Sequence, residues 1–212
     1  MKVIKPCFII EDPINGDVML ENIERYGRVC YKTEEKITKD SAAAFCKKIL
    51  EAGHEAVIEH EKVTVRIICD RGVTHEIVRH RIASYCQEST RYCNYSSGKF
   101  GGEITIIMPC FWHSGSKEDD MKLKIWESAM KFAEESYLKL IELGATPQEA
   151  RSVLPNSLKT EIIVTFNLRE WRHFFRLRCS PKAHPQMREI AIPLLKEFKN
   201  RIPVIFDDVN FE

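Results

Sequence analysis

Three segments of the chain have the pattern of strands, and the clearest of them alternates apolar and polar residues, which is typical of a half-buried strand. The clearest is KVTVRIIC, where Val63, Val65 and Ile67 are β-branched or aliphatic and occupy every second position. Strands are therefore predicted at residues 62–69, 103–109 and 158–166. A strand needs flanking breakers, and Gly72 follows the first of them.

Other segments place apolar residues every three or four positions, which predicts helices at residues 40–53, 74–83, 118–143, 168–178 and 185–200. Gly144 stops the long helix, and Pro147 opens a further short helix that carries Arg151. Pro193 lies inside the last helix and is expected to kink it. Helices dominate and strands are few, so the fold class is α+β. Because repeats and linkers are absent from the sequence, one domain is predicted over residues 1–212.

Composition narrows the classes of partner. The chain has 44% hydrophobic and 30% charged residues, as globular proteins do, and its net charge is +1. Nothing in the overall charge favours nucleic acid or an anionic membrane, and no apolar run reaches the ~18 residues of a membrane span. The N-terminal apolar run is too short for a signal peptide, so a cytoplasmic protein is expected.

The cysteines and histidines do not have metal-binding spacing. The eight cysteines contain no C-x-x-C pair, and they are interpreted as reduced thiols, mostly buried. His54 and His60 are six apart, while His75 and His80 are five apart, so neither pair has the i, i+4 spacing of a zinc-binding helix. No metal is predicted.

Two basic segments could bind an anion: RHRIASYCQESTRY at residues 79–92 and NLREWRHFFRLR at residues 167–178. Guanidinium groups suit phosphate, and the polar loop after the first triplet adds donors. Taken alone, each segment is better explained without a ligand, the first as a solvated helix end and the second as an ordinary amphipathic helix. Ser89 has no identified base and no G-x-S-x-G context, so the sequence leaves a nucleophilic role for it open. These residues alone indicate a domain able to hold a phosphorylated ligand.

The first segment resembles the signature of the flavin-dependent thymidylate synthases, an RHR triplet followed after seven residues by serine. Arg79, His80, Arg81, Ser89 and Arg91 stand at the signature positions. The segments GHEAVIEH, EARSVLP, NLREWRHFFRLR and AHPQMREIA also resemble the family, in the expected order from about residue 25 to residue 200.

The resemblance implies mixed helices around a small, mostly antiparallel sheet in an interwoven homotetramer with shared active sites. It also implies reductive methylation of dUMP to dTMP, with FAD as cofactor, methylenetetrahydrofolate as carbon donor and NADPH as reductant. Tetrahydrofolate would be released. No nucleic acid or membrane partner is implied.

The resemblance implies residue roles as well. Arg178 would bind the pyrimidine and favour its ionisation at N3, and Ser89 would donate or accept a hydrogen bond to dUMP; these two are the catalytic candidates. The implied FAD-binding residues are His54, Ala56, Arg79, His80, Arg81, Gln87, Asn167, Leu168, Arg169 and His173. The implied dUMP-binding residues are Glu76, Ile77, Val78, Arg79, Gln87, Glu88, Ser89, Thr90, Arg91, Arg151 and Arg178. Many members carry Asn-Glu where this chain has Cys86-Gln87, so Gln87 keeps hydrogen-bonding capacity without the charge.

Two other classes stay open from the sequence. A nucleic-acid-binding module would use both arginine clusters on phosphates, although the near-zero net charge disfavours it. A flavin or nucleotide sensor that keeps the fold and has lost turnover is not distinguished from the enzyme by sequence.

Overall fold

A computed structural model describes residues 1–210 and is built from six strands and eight α-helices in that range. The strands are β1 (Lys2–Ile4), β2 (Cys7–Ile10), β3 (Lys62–Asp70), β4 (Ala83–Gln87), β5 (Thr105–Ile107) and β6 (Lys159–Asn167). The helices are α1 (Gly16–Val29), α2 (Ala42–Glu51), α3 (Arg71–Ile77), α4 (Lys117–Glu142), α5 (Pro147–Ala150), α6 (Leu168–Arg178), α7 (Pro185–Arg201) and α8 (Pro203–Phe206). The predicted α+β class is therefore confirmed.

The strands form two sheets. β1 pairs in parallel with β5, and the other sheet has the order β2-β3-β6-β4. The expectation of one small, mostly antiparallel sheet is corrected by this second, parallel pair. Between β3 and β6, Leu168 N donates to Glu61 O at 2.9 Å and the hydroxyls of Thr64 and Thr165 are 3.0 Å apart, which is an antiparallel pairing. A period of two residues predicts strands but not their direction, so the sequence could not separate these cases.

The chain divides into two compact units. The first unit comprises Met1–Cys7, Ile67–Arg79 and Cys86–Ile162, and the second comprises Phe8–Arg66, His80–Tyr85 and Ile163–Glu212.

Each unit has its own hydrophobic centre. In the first unit, Ile106 and Leu158 pack with Tyr137 of α4, and all three are fully buried. In the second unit, Trp171 of α6 lies at the middle of an aromatic cluster and donates from Nε1 to Val63 O at 3.0 Å. The other rings of this cluster are Phe166, Phe174, Phe175, Phe198 and Phe206.

The helix predicted over residues 74–83 is wrong in its bounds. Helix α3 starts earlier because the Asp70 side chain accepts from Val73 N at 2.7 Å and caps it. It ends at Ile77, and the chain enters β4 at Ala83, so Arg79, His80 and Arg81 lie in the connection rather than on the helix. The segment expected to be a polar loop begins as strand β4, because sheet pairing with β6 outweighs its polar composition.

The other predicted elements are present, whereas β1, β2, α1 and α8 had no counterpart among the predictions. The three predicted strands are present, and β5 is shorter than expected. Helix α4 ends before Gly144, whose φ is +90°. Pro147 opens α5, and Arg151 caps its C-terminus and begins a 3₁₀ turn. Helix α7 continues through Pro193 without a break.

The cysteines are less buried than expected. None of the eight, all within residues 1–210, forms a disulfide, and Cys46, Cys69 and Cys179 are buried. Cys7, Cys30 and Cys86 are exposed, so the interpretation as mostly buried is wrong for them. Within residues 1–210, no helix has the length and apolar character needed to span a membrane.

Candidate active site

Helix α6 organises the site in the second unit. The Asn167 side chain caps it by accepting from Glu170 N at 2.8 Å. Its buried face carries the aromatic residues of the core, and Arg169 and His173 lie on its exposed side, as their i, i+4 spacing predicts. The predicted bounds of this helix, residues 168–178, are confirmed.

His80 is held between two side chains of α6. Its Nδ1 lies 2.7 Å from Glu170 Oε1, and Arg178 Nε donates to its Nε2 at 3.2 Å. His80 is only 4% exposed, and its backbone carbonyl oxygen accepts from the Tyr85 hydroxyl at 2.5 Å. Because a guanidinium is only a donor, Nε2 must present its lone pair, and the ring proton is assigned to Nδ1.

The hydrogen bond that His80 accepts from Arg178 requires a neutral imidazole. Burial lowers its pKa below the ordinary histidine value, the hydrogen bond and charge of Glu170 oppose this, and Arg178 and His173 add to the lowering. The centres of the Phe166 and Phe174 rings lie 5.8 and 5.1 Å from the centre of the imidazole ring. A neutral imidazole therefore connects a carboxylate to a guanidinium in a mostly apolar setting.

His80, Glu170 and His173 also bring potential metal ligands within 4.8 Å of one another. Both nitrogens of His80 are engaged by protein partners, and one of these partners is the cation Arg178. A metal ion would have to displace one of these hydrogen bonds beside a fixed positive charge, so we assign no metal to this cluster.

Three of the predicted flavin residues, Asn167, Arg169 and His173, line one cavity of about 380 Å³ in the second unit. Arg169 is exposed there, and its Nη1 donates to Glu59 Oε1 at 2.5 Å. Leu168 is fully buried and does not line the cavity.

His54 lines a different cavity of about 550 Å³ in the same unit. Its Nδ1 lies 3.1 Å from the Tyr31 hydroxyl, and Phe45 adds a second aromatic wall. Lys36 and Lys48 supply positive charge at the lining. Aromatic walls with nearby cations suit the ring systems and the pyrophosphate of a flavin dinucleotide, so the residues present fit such a group.

Three further predicted flavin residues are solvent-facing. Ala56, Arg79 and Arg81 are exposed. Arg79 belongs to the first unit and Arg81 to the second, so the RHR triplet is divided between them. His80 is the only buried member of the triplet.

The first unit contains the predicted nucleotide loop, which follows β4. Gln87 Nε2 donates to Thr74 Oγ1 at 3.1 Å and to Thr160 Oγ1 at 3.3 Å, so its amide is bonded within the unit. Glu88 accepts from the Tyr95 hydroxyl and from Lys159 Nζ, both at 2.9 Å. Burial, together with Glu88, raises the pKa of Tyr95. These contacts fix the start of the loop.

Residues 89–91 form a turn that Arg151 reaches from 61 positions further along the chain. Ser89 O accepts from Cys93 N at 2.9 Å, and Ser89 Oγ accepts from Arg91 N at 3.3 Å. Arg151 Nη1 donates to Oγ1 of the buried Thr90 at 3.4 Å. The exposed guanidinium of Arg91 lies 5.5 Å from the centre of the Tyr92 ring.

The remaining predicted nucleotide residues lie at the end of α3. Val78 is exposed and Glu76 is half-buried, whereas Ile77 is fully buried and could offer a ligand only its backbone.

Sequence reasoning missed Glu170 and Tyr85, which both contact His80. The Asn-x-x-Glu spacing at residues 167–170 was a visible signal, because glutamate at that position commonly completes a capping box. Here its carboxylate accepts from the imidazole instead.

The chain thus has an α+β fold and, in its second unit, a buried histidine that is hydrogen-bonded to a glutamate and an arginine. Residues 17–204 match the family model Thy1, described as thymidylate synthase complementing protein. A flavin-dependent thymidylate synthase from Geobacter sulfurreducens is 36% identical over 188 residues, covering 85% of this chain and 78% of the relative. Another flavin-dependent thymidylate synthase, from Pyrococcus horikoshii, is 41% identical over 168 residues, which cover 79% of this chain and 67% of that relative. The chain therefore belongs to the flavin-dependent thymidylate synthase family of enzymes, and the resemblance drawn from the RHR motif is confirmed.

A solved structure supports the fold. The crystal structure of a UMP/dUMP methylase PolB from Streptomyces cacaoi, bound with 5-Br UMP, superimposes with a TM-score of 0.79. The superposition covers 98% of this chain and 95% of the PolB chain, and the two sequences are 18% identical. At that identity the likeness concerns the fold alone.

Proposed function

We propose that this protein catalyses the reductive methylation of dUMP to dTMP, with FAD as cofactor, methylenetetrahydrofolate as carbon donor and NADPH as reductant, and that it releases tetrahydrofolate. Family membership supports the reaction class. The observation that carries the proposal to particular residues is the contact of Arg151 with Thr90. It brings an arginine distant in sequence to the loop that holds Ser89 and Arg91.

This loop is suited to a nucleotide phosphate. Arg91 and Arg151 are exposed guanidinium groups, and each can offer two parallel donors to a phosphate. Ser89 adds a hydroxyl on the same turn, and it acts as a hydrogen-bonding group because its own bond is to a backbone amide and not to a base. The loop therefore binds and orients dUMP.

Arg178 has the electrostatic role. A guanidinium directed at the pyrimidine stabilises negative charge that spreads through the ring when N3 ionises. The half-buried position of Arg178 reduces the screening of that charge by water. Because His80 accepts a hydrogen bond from Arg178, its imidazole is neutral in this arrangement and adds no second positive charge beside the anion.

The flavin would be held in the second unit by Asn167, Arg169 and His173 at one cavity and by His54 at the other. When bound, the flavin supplies the hydride that reduces the transferred carbon. Arg81 is an exposed cation that can contribute to holding it. The protein supplies binding, orientation and charge around this cofactor.

Assembly into a homotetramer with shared active sites belongs to the same proposal. Helix α4 exposes Met121, Ile125 and Phe132, which are 63%, 69% and 71% accessible. Their spacing of four and seven residues places them on one face of the helix. An exposed apolar stripe of this kind is suited to burial against a second copy of the chain.

The proposal is tested by supplying purified protein with dUMP, methylenetetrahydrofolate and NADPH, with FAD present or omitted after the cofactor has been stripped. We expect dTMP only when FAD is present. Flavin binding without product would favour the sensor class. Absence of both flavin binding and product would overturn the proposal.

A further inference from the structure

Glu170, His80 and Arg178 form a continuous hydrogen-bonded chain in the second unit. Glu170 Oε1 and His80 Nδ1 are 2.7 Å apart, and His80 Nε2 accepts from Arg178 Nε at 3.2 Å. Glu170 is 8% exposed and His80 is 4% exposed. Both ring nitrogens of His80 are therefore engaged by side chains of α6.

We propose that Glu170 and His80 are positioning residues for Arg178: Glu170 keeps the imidazole proton on Nδ1, and the lone pair on Nε2 then fixes the Arg178 guanidinium through its Nε–H. The inference rests on the proposed catalytic role of Arg178. It assigns to His80 a function through Arg178, which the family resemblance does not imply.

The proton position decides whether this chain of hydrogen bonds can exist. With the proton on Nδ1, the imidazole donates to a carboxylate and accepts from a guanidinium, so both contacts are favourable. With the proton on Nε2, two N–H groups would face each other at the Arg178 contact. A carboxylate only accepts, so Glu170 selects the first tautomer.

The bond to Nε also fixes an orientation. A guanidinium is planar, and rotation of the group about its connection to the side chain changes the direction of the whole plane. A hydrogen bond at Nε resists that rotation. Arg178 can then meet developing charge on the pyrimidine without reorganising, which is how preorganised groups accelerate reactions.

The burial of Glu170 is consistent with such a role. A buried carboxylate is unfavourable unless it is hydrogen-bonded, and replacing it by a neutral side chain would remove that cost. His80 is flanked by Phe166, Phe174 and His173, with ring centres 5.1 to 5.8 Å away. In this apolar surrounding, Glu170 is the group that accepts the Nδ1 proton.

The first experiment compares His80→Gln with His80→Asn in the flavin-loaded enzyme. The glutamine amide reaches the place of Nε2 and can accept from Arg178, whereas the asparagine amide reaches only the place of Nδ1. We expect kcat for dTMP formation to be roughly 10- to 100-fold lower in His80→Asn than in His80→Gln, with a smaller difference in the KM for dUMP. Equal kcat values in the two variants, or loss of flavin from both, would contradict the proposal.

The second experiment tests Glu170. Glu170→Gln keeps the shape but no longer enforces the tautomer, and we expect kcat to fall roughly 10- to 100-fold while flavin stays bound. In a His80→Gln background the same change should have less than about a threefold effect, because no tautomer remains to be selected. Equal effects of Glu170→Gln in both backgrounds would mean that Glu170 acts only on folding.

A third measurement does not depend on activity. Long-range proton–nitrogen correlation spectra of protein labelled at its histidines should show one imidazole protonated at Nδ1 and unprotonated at Nε2, and that signal should disappear in His80→Gln. Protonation of His80 at Nε2 would overturn the proposal. An inactive wild-type protein with the expected tautomer would instead refute the proposed function while leaving this hydrogen-bonded arrangement in place.

Discussion

Arg172 offers a stability prediction with an internal control. Its side chain is 2% exposed, and it makes a bidentate ion pair with Asp208, at 2.6 and 2.7 Å between nitrogen and oxygen. It also contacts Glu55 at 3.1 Å and donates to the carbonyl of Ile205. The perturbation is Arg172→Met, which keeps an extended side chain and removes all of these donors.

The expected loss is about 3 kcal/mol of unfolding free energy. Removing one partner from a buried ion pair costs about 3–5 kcal/mol. The lower end applies because the Asp208 side chain is 56% exposed and can be rehydrated, whereas the Glu55 side chain is only 19% exposed. For a chain of this size, such a loss lowers Tm by roughly 6–12 °C.

The control is Arg176→Met. Arg176 reaches the same two carboxylates, Glu55 at 3.5 Å and Asp208 at 3.3 Å, but its side chain is 45% exposed. Its loss should cost less than about 1 kcal/mol. Both losses of unfolding free energy are measured by urea unfolding of the flavin-loaded protein, at the same protein concentration for all variants. Similar losses for the two variants, or a loss below about 1 kcal/mol for Arg172→Met, would refute the reasoning that burial decides the strength of these pairs.

Three further outcomes are expected. Arg178→Ala should abolish dTMP formation and leave FAD bound, as measured by product assay and flavin absorbance. Loss of FAD from this variant would show that Arg178 binds the flavin instead of dUMP. Arg81→Ala should release FAD. Unchanged flavin occupancy of this variant after gel filtration would show that Arg81 does not bind the flavin. Burial lowers the pKa of His80 in the folded state, so the unfolded chain takes up its proton first as the pH falls below about 6.5. The contribution of His80 to the free energy of unfolding is thus complete above that pH and lost on acidification. Urea titrations at a series of pH values should therefore show that acid lowers the free energy of unfolding less in His80→Gln than in the wild type. Identical pH profiles for the two proteins would contradict this.

Local signals predicted the helices that carry the site. Helices α4 and α6 match their predicted bounds because amphipathic periodicity and terminal residues such as Asn167 and Gly144 act over one or two turns. The spacing of Arg169 and His173 also predicted their common face, and both line one cavity.

The segment from α3 to β4 was predicted poorly because a neighbouring strand determines its structure. Residues 78–83 continue a helical pattern, yet the chain leaves the helix and joins the sheet beside β6. Local propensity is a weak preference that sheet pairing can override. Exposure of Cys86 on β4 follows from the same pairing and was missed for the same reason.

The sequence by itself determined the family, the α+β class and the residues able to bind anions, since motif spacing and periodicity are written along the chain. Only the tertiary structure decided what His80 does with its two nitrogens. Its partners, Glu170 and Arg178, lie 90 and 98 positions away. A hydrogen bond depends on distances and angles between atoms, and those are set by packing of the whole second unit around α6. The proton position on His80, and with it the proposed orientation of Arg178, is therefore a property of the fold.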